Sequence, residues 1–457
     1  MRRPAALYGM LFAAAIVATG LPAGWAHALE IKRVKLDNGM IVLISPQHNL
    51  PMVTAAIAFD AGARRDPKGK EGLAHLSAAS LMEGTRTMSA DELNRKVDFL
   101  GSAMDIDAGS DYATASFTSL KRYWRDTLKL LAGVLIDPGL RDDDISRKQA
   151  EQVAGLKAAE EEPGYVAQIA FLKQVFGEDA PYGHLPDGTV DAVQKLSVKD
   201  VRDFYHLFYK PEAAVAAVVG DVDPDEVVKA LNEELASLKG PVPAQMPQPS
   251  PPIGPGAHVA AINRDVAQAN IILGFDGVAR SDPDYYKLQV MNYILGGGGF
   301  ASRLVKEVRS KAGLAYSVAS YFQAALFPGS FQVVLETKNK SANEAIALVL
   351  QQMRRIQESP VSDAEMESAK KFLIGSFPLK LDTQNSIVQF ILQVQIYGLG
   401  LDYIDRYPGY IRAVTKEDVQ KVARQYLHPD SYVLVAVANQ SEAGIKVATS
   451  AASSGKQ

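Results

Sequence analysis

The segment Phe59-Asp-Ala-Gly-Ala-Arg-Arg-Asp-Pro67 returns later in the chain as Phe275-Asp-Gly-Val-Ala-Arg-Ser-Asp-Pro283, identical at six of nine positions with an offset of 216. A second pair follows in the same order. Asp200-Val-Arg-Asp-Phe-Tyr-His-Leu-Phe-Tyr-Lys-Pro211 aligns with Asp418-Val-Gln-Lys-Val-Ala-Arg-Gln-Tyr-Leu-His-Pro429 at an offset of 218. Each copy closes a helix-like pattern at proline and enters an apolar run, Ala213 to Val219 and Tyr432 to Val437. Two landmarks in one order at nearly one offset point to an internal duplication. Between the copies, Gly240 to Gly256 carries seven prolines, which exclude helix and central strand and favour an extended connector.

Within each copy the pattern mixes strands and helices. Val34–Leu36 and Met40–Ile44 flank Asp37-Asn-Gly39, a hairpin turn signal. Val53–Phe59 and Tyr112–Leu120 read as strands, and helical periodicity runs through Ala90–Leu100, Arg122–Asp137, Asp144–Glu160 and Val198–Tyr209. Without strict βαβ alternation, these elements predict an α+β chain of two similar halves, each a mainly antiparallel sheet with helices packed on one face. The expected domains are residues 29–239 and 257–440, joined by a linker at 240–256 and followed by a flexible polar tail at 441–457.

The 457 residues are 47% hydrophobic and 22% charged, ordinary for a globular chain with large cores. A net charge of −4 and the lack of basic clusters interleaved with aromatics argue against nucleic acid as a partner. Arg2 and Arg3, an apolar run from Met10 to Leu21 and the small-residue site Ala26-His27-Ala28 read as an export signal over residues 1–28. An uncleaved anchor is the alternative. With the signal removed, no membrane span is expected, and the compartment expected is the bacterial periplasm or the medium. The absence of cysteine excludes disulfides, thiolate metal sites and a thiol nucleophile.

The chemistry-bearing stretch of the first half is Gly72-Leu-Ala-His-Leu-Ser-Ala-Ala-Ser-Leu-Met-Glu-Gly-Thr85. It has the frame of H-x-x-E-H, in which two histidines on one helix face ligate zinc and the glutamate between them activates water. Only the first donor, His75, is present; Ala78 replaces the base and Ala79 the second ligand. A catalytic zinc takes three protein ligands, so one histidine is not a site. Glu71, one turn before His75, is expected to serve the helix start, where negative charge suits the dipole.

In the second half, Gly296, Gly297, Gly298 and Gly299 precede Phe300 and a helical pattern. Such a run permits positive φ and close backbone approach. Neither G-x-G-x-x-G nor a P-loop Lys-Ser/Thr accompanies it, which disfavours phosphate. A peptide-binding loop and a plain flexible helix entry remain open. Arg309 and Tyr316 then stand seven apart.

Together, Val34–Ile44, Asp60–Arg65, Gly72–His75 and Glu83-Gly-Thr85 resemble the pitrilysin/insulinase family of zinc peptidases across nearly the whole chain after the signal. The resemblance extends to Glu161-Glu162-Pro163, from which the family's third ligand falls on Gly155 (Ala154 with one residue of slip) and its assisting glutamate on Lys148. It implies two similar halves forming a clamp-like subunit. Arg309 and Tyr316 would be the pair that meets the scissile carbonyl of a peptide. It further implies a non-catalytic subunit that is inactive alone and binds no cofactor. This subunit would complete the active site of a paralogous partner carrying H-x-x-E-H and the zinc, on unfolded peptide substrates. The competing expectation is a peptide- or protein-binding pseudopeptidase with no part in cleavage.

Overall fold

The computed structural model describes residues 29–240, 244 and 254–445. The expected signal at 1–28 lies outside the described residues, as do most of the linker and residues 446–457. The first sheet contains β1 (Lys32–Lys35), β2 (Ile41–Pro46) and β3 (Met52–Phe59). After a two-residue hairpin, β4 (Gly84–Thr85) with β5 (Met88–Ser89), it adds β6 (Ala103–Ala108), β7 (Ala113–Leu120) and β8 (Val215–Gly220). Its order is β1-β2-β8-β3-β7-β6. The second sheet comprises β9 (Ala257–Asn263), β10 (Gln268–Asp276), β11 (Ala315–Phe322), β12 (Ser330–Lys338) and β13 (Tyr432–Ala438), in the order β11-β12-β10-β13-β9.

Removing β1 leaves two sheets of identical topology. β2, β3, β6, β7 and β8 take the places of β9, β10, β11, β12 and β13 in turn. Even the single parallel pairing recurs, β2 with β8 and β13 with β9, all other neighbours being antiparallel. The hairpin at Asp37–Gly39 forms as its turn residues dictate, with Gly39 at φ +93°.

Helices cover both faces of each sheet, not the one face that the mixed order of strands and helices predicts. β3 and β8 are buried almost end to end, so both faces need cover. One face of the first sheet carries Val42, Ile44, Val53, Ile57 and Phe59 into a core with its own half's helices, Leu73–Leu81 and Trp124–Ile136 among them. The opposite face presents Leu43, Ala56, Ala58, Ala217 and Val219 to a helix from the second half, Gln384–Ile396, through Val388, Ile391 and Leu392. The exchange is reciprocal. The first-half helix Pro163–Phe176 lies on β10 and β13, where Phe171, Leu172 and Val175 pack with Ile272, Val433 and Val435. A Cβ at Gly274 would lie 2.0 Å from the Phe331 carbonyl of β12 and 2.9 Å from the Phe171 ring, so glycine there accommodates both the neighbouring strand and the borrowed helix.

Polar contacts seal the junction. The buried Asp111 carboxylate, on the turn between β6 and β7, accepts the Tyr182 hydroxyl at 2.5 Å and the Leu326 amide at 2.9 Å. Tyr182 in turn accepts the Phe327 amide at 3.2 Å. Burial, with Asp111 beside it, pushes the Tyr182 phenol up, so it stays a donor. The first residues expected to belong to a flexible tail are part of the fold: Gln440–Ala443 is a short helix whose Ala443 is buried and bonded by Asn343 at 2.7 Å.

Because each sheet depends on a helix from the other copy, Phe171→Ala should destabilise both halves at once. Emptying that site costs about 3–5 kcal/mol. Urea unfolding followed by the fluorescence of Trp124, in the first half, should show the full shift; an unchanged Trp124 transition would mean the halves unfold separately.

Candidate functional site

The helix Leu73–Leu81 begins at Gly72, whose φ of +96° and close approach to Asp187 O, 2.6 Å from an added Cβ, exclude a side chain. Its amides are capped by Asp66, which accepts from Gly72 and Ala74, both at 2.7 Å. Glu71, expected to serve the helix start, instead accepts from Gly69 at 2.8 Å. Asp66 was within reach of the sequence, since it belongs to the duplicated Asp-Pro; its counterpart Asp282 likewise accepts a nearby amide, that of Asp284, at 2.8 Å. The repeated arginines are structural too. Arg64 is buried against Asp60 and the Asp111 carbonyl, and Arg280 lies over the Tyr285 ring and bonds Tyr403.

His75 is one-third exposed, and its Nδ1 lies 3.5 Å from the Asp107 carboxylate on β6. That contact holds Asp107 below the usual carboxylate range. Asp107 was not singled out from sequence, because β6 itself was missed: Ala103-Met-Asp-Ile-Asp-Ala108 is short and carries two aspartates in six residues. Ala78 is fully buried in the first-half core, while Ala79 is half-buried.

The helix Asp142–Ala159 packs against the His75 helix, pinned by Gln152, which donates to the Gly72 and Asp187 carbonyls at 3.2 and 2.8 Å. Gly155, one turn further, is exposed with nothing within 4 Å of an added Cβ, and Ala154 is exposed as well. Lys148 pairs with the buried Glu83 at 3.2 Å and with Glu151 at 2.9 Å. The two helices that would carry a metal site therefore meet, but they bring one imidazole, two alanines, a glycine and a lysine to it. This donor set does not fit zinc.

In the second half, the first three glycines serve packing. A Cβ on Gly296 would lie 2.4 Å from Ser320 Oγ, one on Gly297 2.6 Å from Asn292 Nδ2, and one on Gly298 2.6 Å from the Tyr293 carbonyl. The Gly298 amide is spent on that same carbonyl at 2.9 Å. Asn292 clasps Ser320 on β11 through both atoms of its amide, at 2.9 and 2.7 Å. Only Gly299 has positive φ, +53°, with open space around it. The run is thus neither a presented row of N–H groups nor a loose helix entry. It brings the backbone close against β11 and then turns Phe300 outward.

Arg309 lies in a π-helical segment, Val305–Lys311, a rare geometry that often marks functional positions. Its carbonyl accepts the Gly313 amide at 3.1 Å, folding the connection back so that β11 starts against the segment. Tyr316 sits in a bulge between Ala315 and Ser317 on this edge strand and is 69% exposed. Both residues face solvent from opposite ends of one tight connection.

Two family models match the chain: "Insulinase (Peptidase family M16)" over residues 41–180 and "Peptidase M16 inactive domain" over residues 195–373. An uncharacterized zinc protease of Streptomyces coelicolor is 27% identical over 87% of each chain. The non-peptidase homolog YmxG of Helicobacter pylori is 25% identical over 92% of this chain and 96% of its own. A crystal structure titled as a peptidase M16 inactive domain, from Pseudomonas fluorescens, superposes with a TM-score of 0.84 at 28% identity, covering 90% of this chain and 98% of that one. The chain belongs to the insulinase, or M16, peptidase family.

The burial of Ala78 sets the cost of restoring the motif. Ala78→Glu places a carboxylate in the core and should destabilise by about 2 kcal/mol or more, whereas Gly155→Glu has room and should stay within about 0.5 kcal/mol of the parent. Thermal unfolding of the two single variants checks the contrast; equal Tm values would show that Ala78 is not a core position.

Proposed function

We propose that this chain is a non-catalytic, exported M16 subunit. It binds unfolded peptides and lends Arg309 and Tyr316 to the active site of a paralogous partner that carries H-x-x-E-H and zinc. The observation that carries this reading is the asymmetry between halves. The first half fills its metal positions with Ala78, Ala79 and Gly155, and the second keeps a cation and a phenol exposed on an edge strand and the segment before it.

The chemistry needs no metal of this chain's own. A peptide carbonyl gains negative charge as water adds to it, and fixed donors aimed at that oxygen stabilise the charge as it develops. Tyr316 supplies a neutral O–H donor and Arg309 a permanent cation. Edge strands β6 and β11 each leave one side of the backbone unpaired, which suits an extended peptide. Two similar halves arranged as a clamp, with the partner closing over them, would hold such a peptide at both ends of the site. The expected domain limits at 29–239 and 257–440, and the periplasm as compartment, belong to the same proposal. No helix among the described residues is long and apolar enough to cross a membrane. The Helicobacter relative, a non-peptidase homolog by name, favours a second reading, in which the chain binds peptides or proteins and takes no part in cleavage.

Two measurements test the proposal. After dialysis, the purified chain should hold well under one zinc per molecule, by elemental analysis; one tightly held zinc would refute a metal-free subunit. In the complex with the H-x-x-E-H paralogue, Tyr316→Phe and Arg309→Ala should leave assembly intact and lower kcat, each by about a hundred- to a thousandfold. Their combined loss should be less than the product of the two. Unchanged kcat and KM in both would favour the binding-only reading.

A further inference from the structure

Arg309 is exposed, and among the described residues no carboxylate lies within ion-pair distance of it; Glu307, two residues earlier, is engaged by Lys311 at 2.9 Å. A free arginine side chain samples many rotamers, and fixing it on a ligand costs free energy that a preorganised one has already lost. The guanidinium is not free, however. Its carbon lies 5.4 Å from the centre of the Phe300 ring. Phe300 is itself 75% exposed, so its ring is not spent in the core and can meet the guanidinium.

The local chain explains how the ring comes to stand there. Gly296–Gly298 press against Ser320, Asn292 and Tyr293, and Gly299 turns the backbone at φ +53° so that the next residue leaves the packed surface. Ser302 then fixes the exit, its hydroxyl donating to the Gly299 carbonyl at 2.7 Å and accepting the Val305 amide at 3.5 Å. The π-helical segment that follows brings Arg309 back over the ring. We propose that Phe300 is a positioning residue: its π-face holds the Arg309 guanidinium in place, so that the cation is already ordered when a peptide carbonyl reaches it. This rests on the peptide-handling role of Arg309 given above.

A cation over an exposed aromatic face contributes modestly, so loss of the ring should weaken peptide binding by about two- to fivefold. Three variants separate the causes. Phe300→Leu keeps apolar bulk and removes the π-face, Phe300→Tyr keeps the π-face, and Arg309→Ala removes the cation. The chain is labelled with isotopic arginine, and the Arg309 side-chain resonances are recorded by NMR. Binding of a fluorescein-labelled β-casein peptide is measured in parallel by anisotropy. The expected result is a ring-current shift on Arg309 that vanishes in Phe300→Leu and persists in Phe300→Tyr, with affinity following the same pattern. No ring-current shift in the parent chain, or full affinity in Phe300→Leu while Arg309→Ala is weakened, would overturn the role of Phe300. A shift that is present while Arg309→Ala neither weakens peptide binding nor lowers kcat in the complex with the H-x-x-E-H paralogue would overturn the peptide-handling role of Arg309, and with it any functional purpose for the contact.

Discussion

The reciprocal exchange of helices between the two sheets is the constraint from which the remaining architecture follows. A sheet whose central strands are apolar on both faces needs two covers, and each half supplies only one of them from its own neighbouring helices. The second cover comes from the other copy: Gln384–Ile396 for the first sheet and Pro163–Phe176 for the second. Small residues set the geometry of these contacts. Ala56, Ala58 and Ala217 admit the helix on one side, and Gly274 admits Phe171 on the other. Neither copy can therefore complete its core alone, and Asp111 with Tyr182 fixes how the two meet.

The same constraint positions the sites. The His75 helix and the helix Asp142–Ala159 belong to the first half's own cover, and Pro163–Phe176, which follows directly, crosses to the second sheet. The first half builds a firm frame around the His75 helix: a left-handed glycine entry, a carboxylate cap at Asp66 and a second helix pinned at Gln152. On that frame His75 is followed by Ala78 and Ala79, with Gly155 on the second helix, and the three supply no ligand atom. Arg147 and Lys148 both pair with the buried Glu83, which ties the second helix to the first-half core. The second half invests its irregular backbone, a π-helical turn at Tyr293–Gly297, another at Val305–Lys311 and a bulge at Tyr316, in placing Arg309 and Tyr316 at the surface.

Much of this was legible in the sequence, and the failures have physical reasons. The turn at Asp37–Gly39, the strand Val53–Phe59 and four of the first half's helices (Ala90–Phe99, Trp124–Ile136, Asp142–Ala159 and Val198–Phe208) declare themselves through local turn chemistry and periodicity. The exchange does not, because an amphipathic pattern says that a helix buries a face and is silent about which sheet it covers. β6 escaped notice because its aspartates suit an exposed edge as readily as a loop. That Ala78, Ala79 and Gly155 offer no ligand atom can be read letter by letter, since ligand chemistry is a property of residue type. The stacking of Arg309 on Phe300 cannot be read that way, since it depends on a π-helical turn that brings residues nine apart into contact.

The central claim is that this chain contributes to peptide cleavage only through another subunit. It is tested most directly by reconstitution from separately purified proteins: this chain, the paralogue with an intact H-x-x-E-H, and an unfolded fluorogenic peptide. The account predicts no cleavage by this chain and little by the paralogue. Turnover should appear on mixing, saturate at one-to-one stoichiometry and stop when chelator removes the partner's zinc. Cleavage by this chain alone, or a paralogue whose rate is indifferent to its presence, would contradict the account.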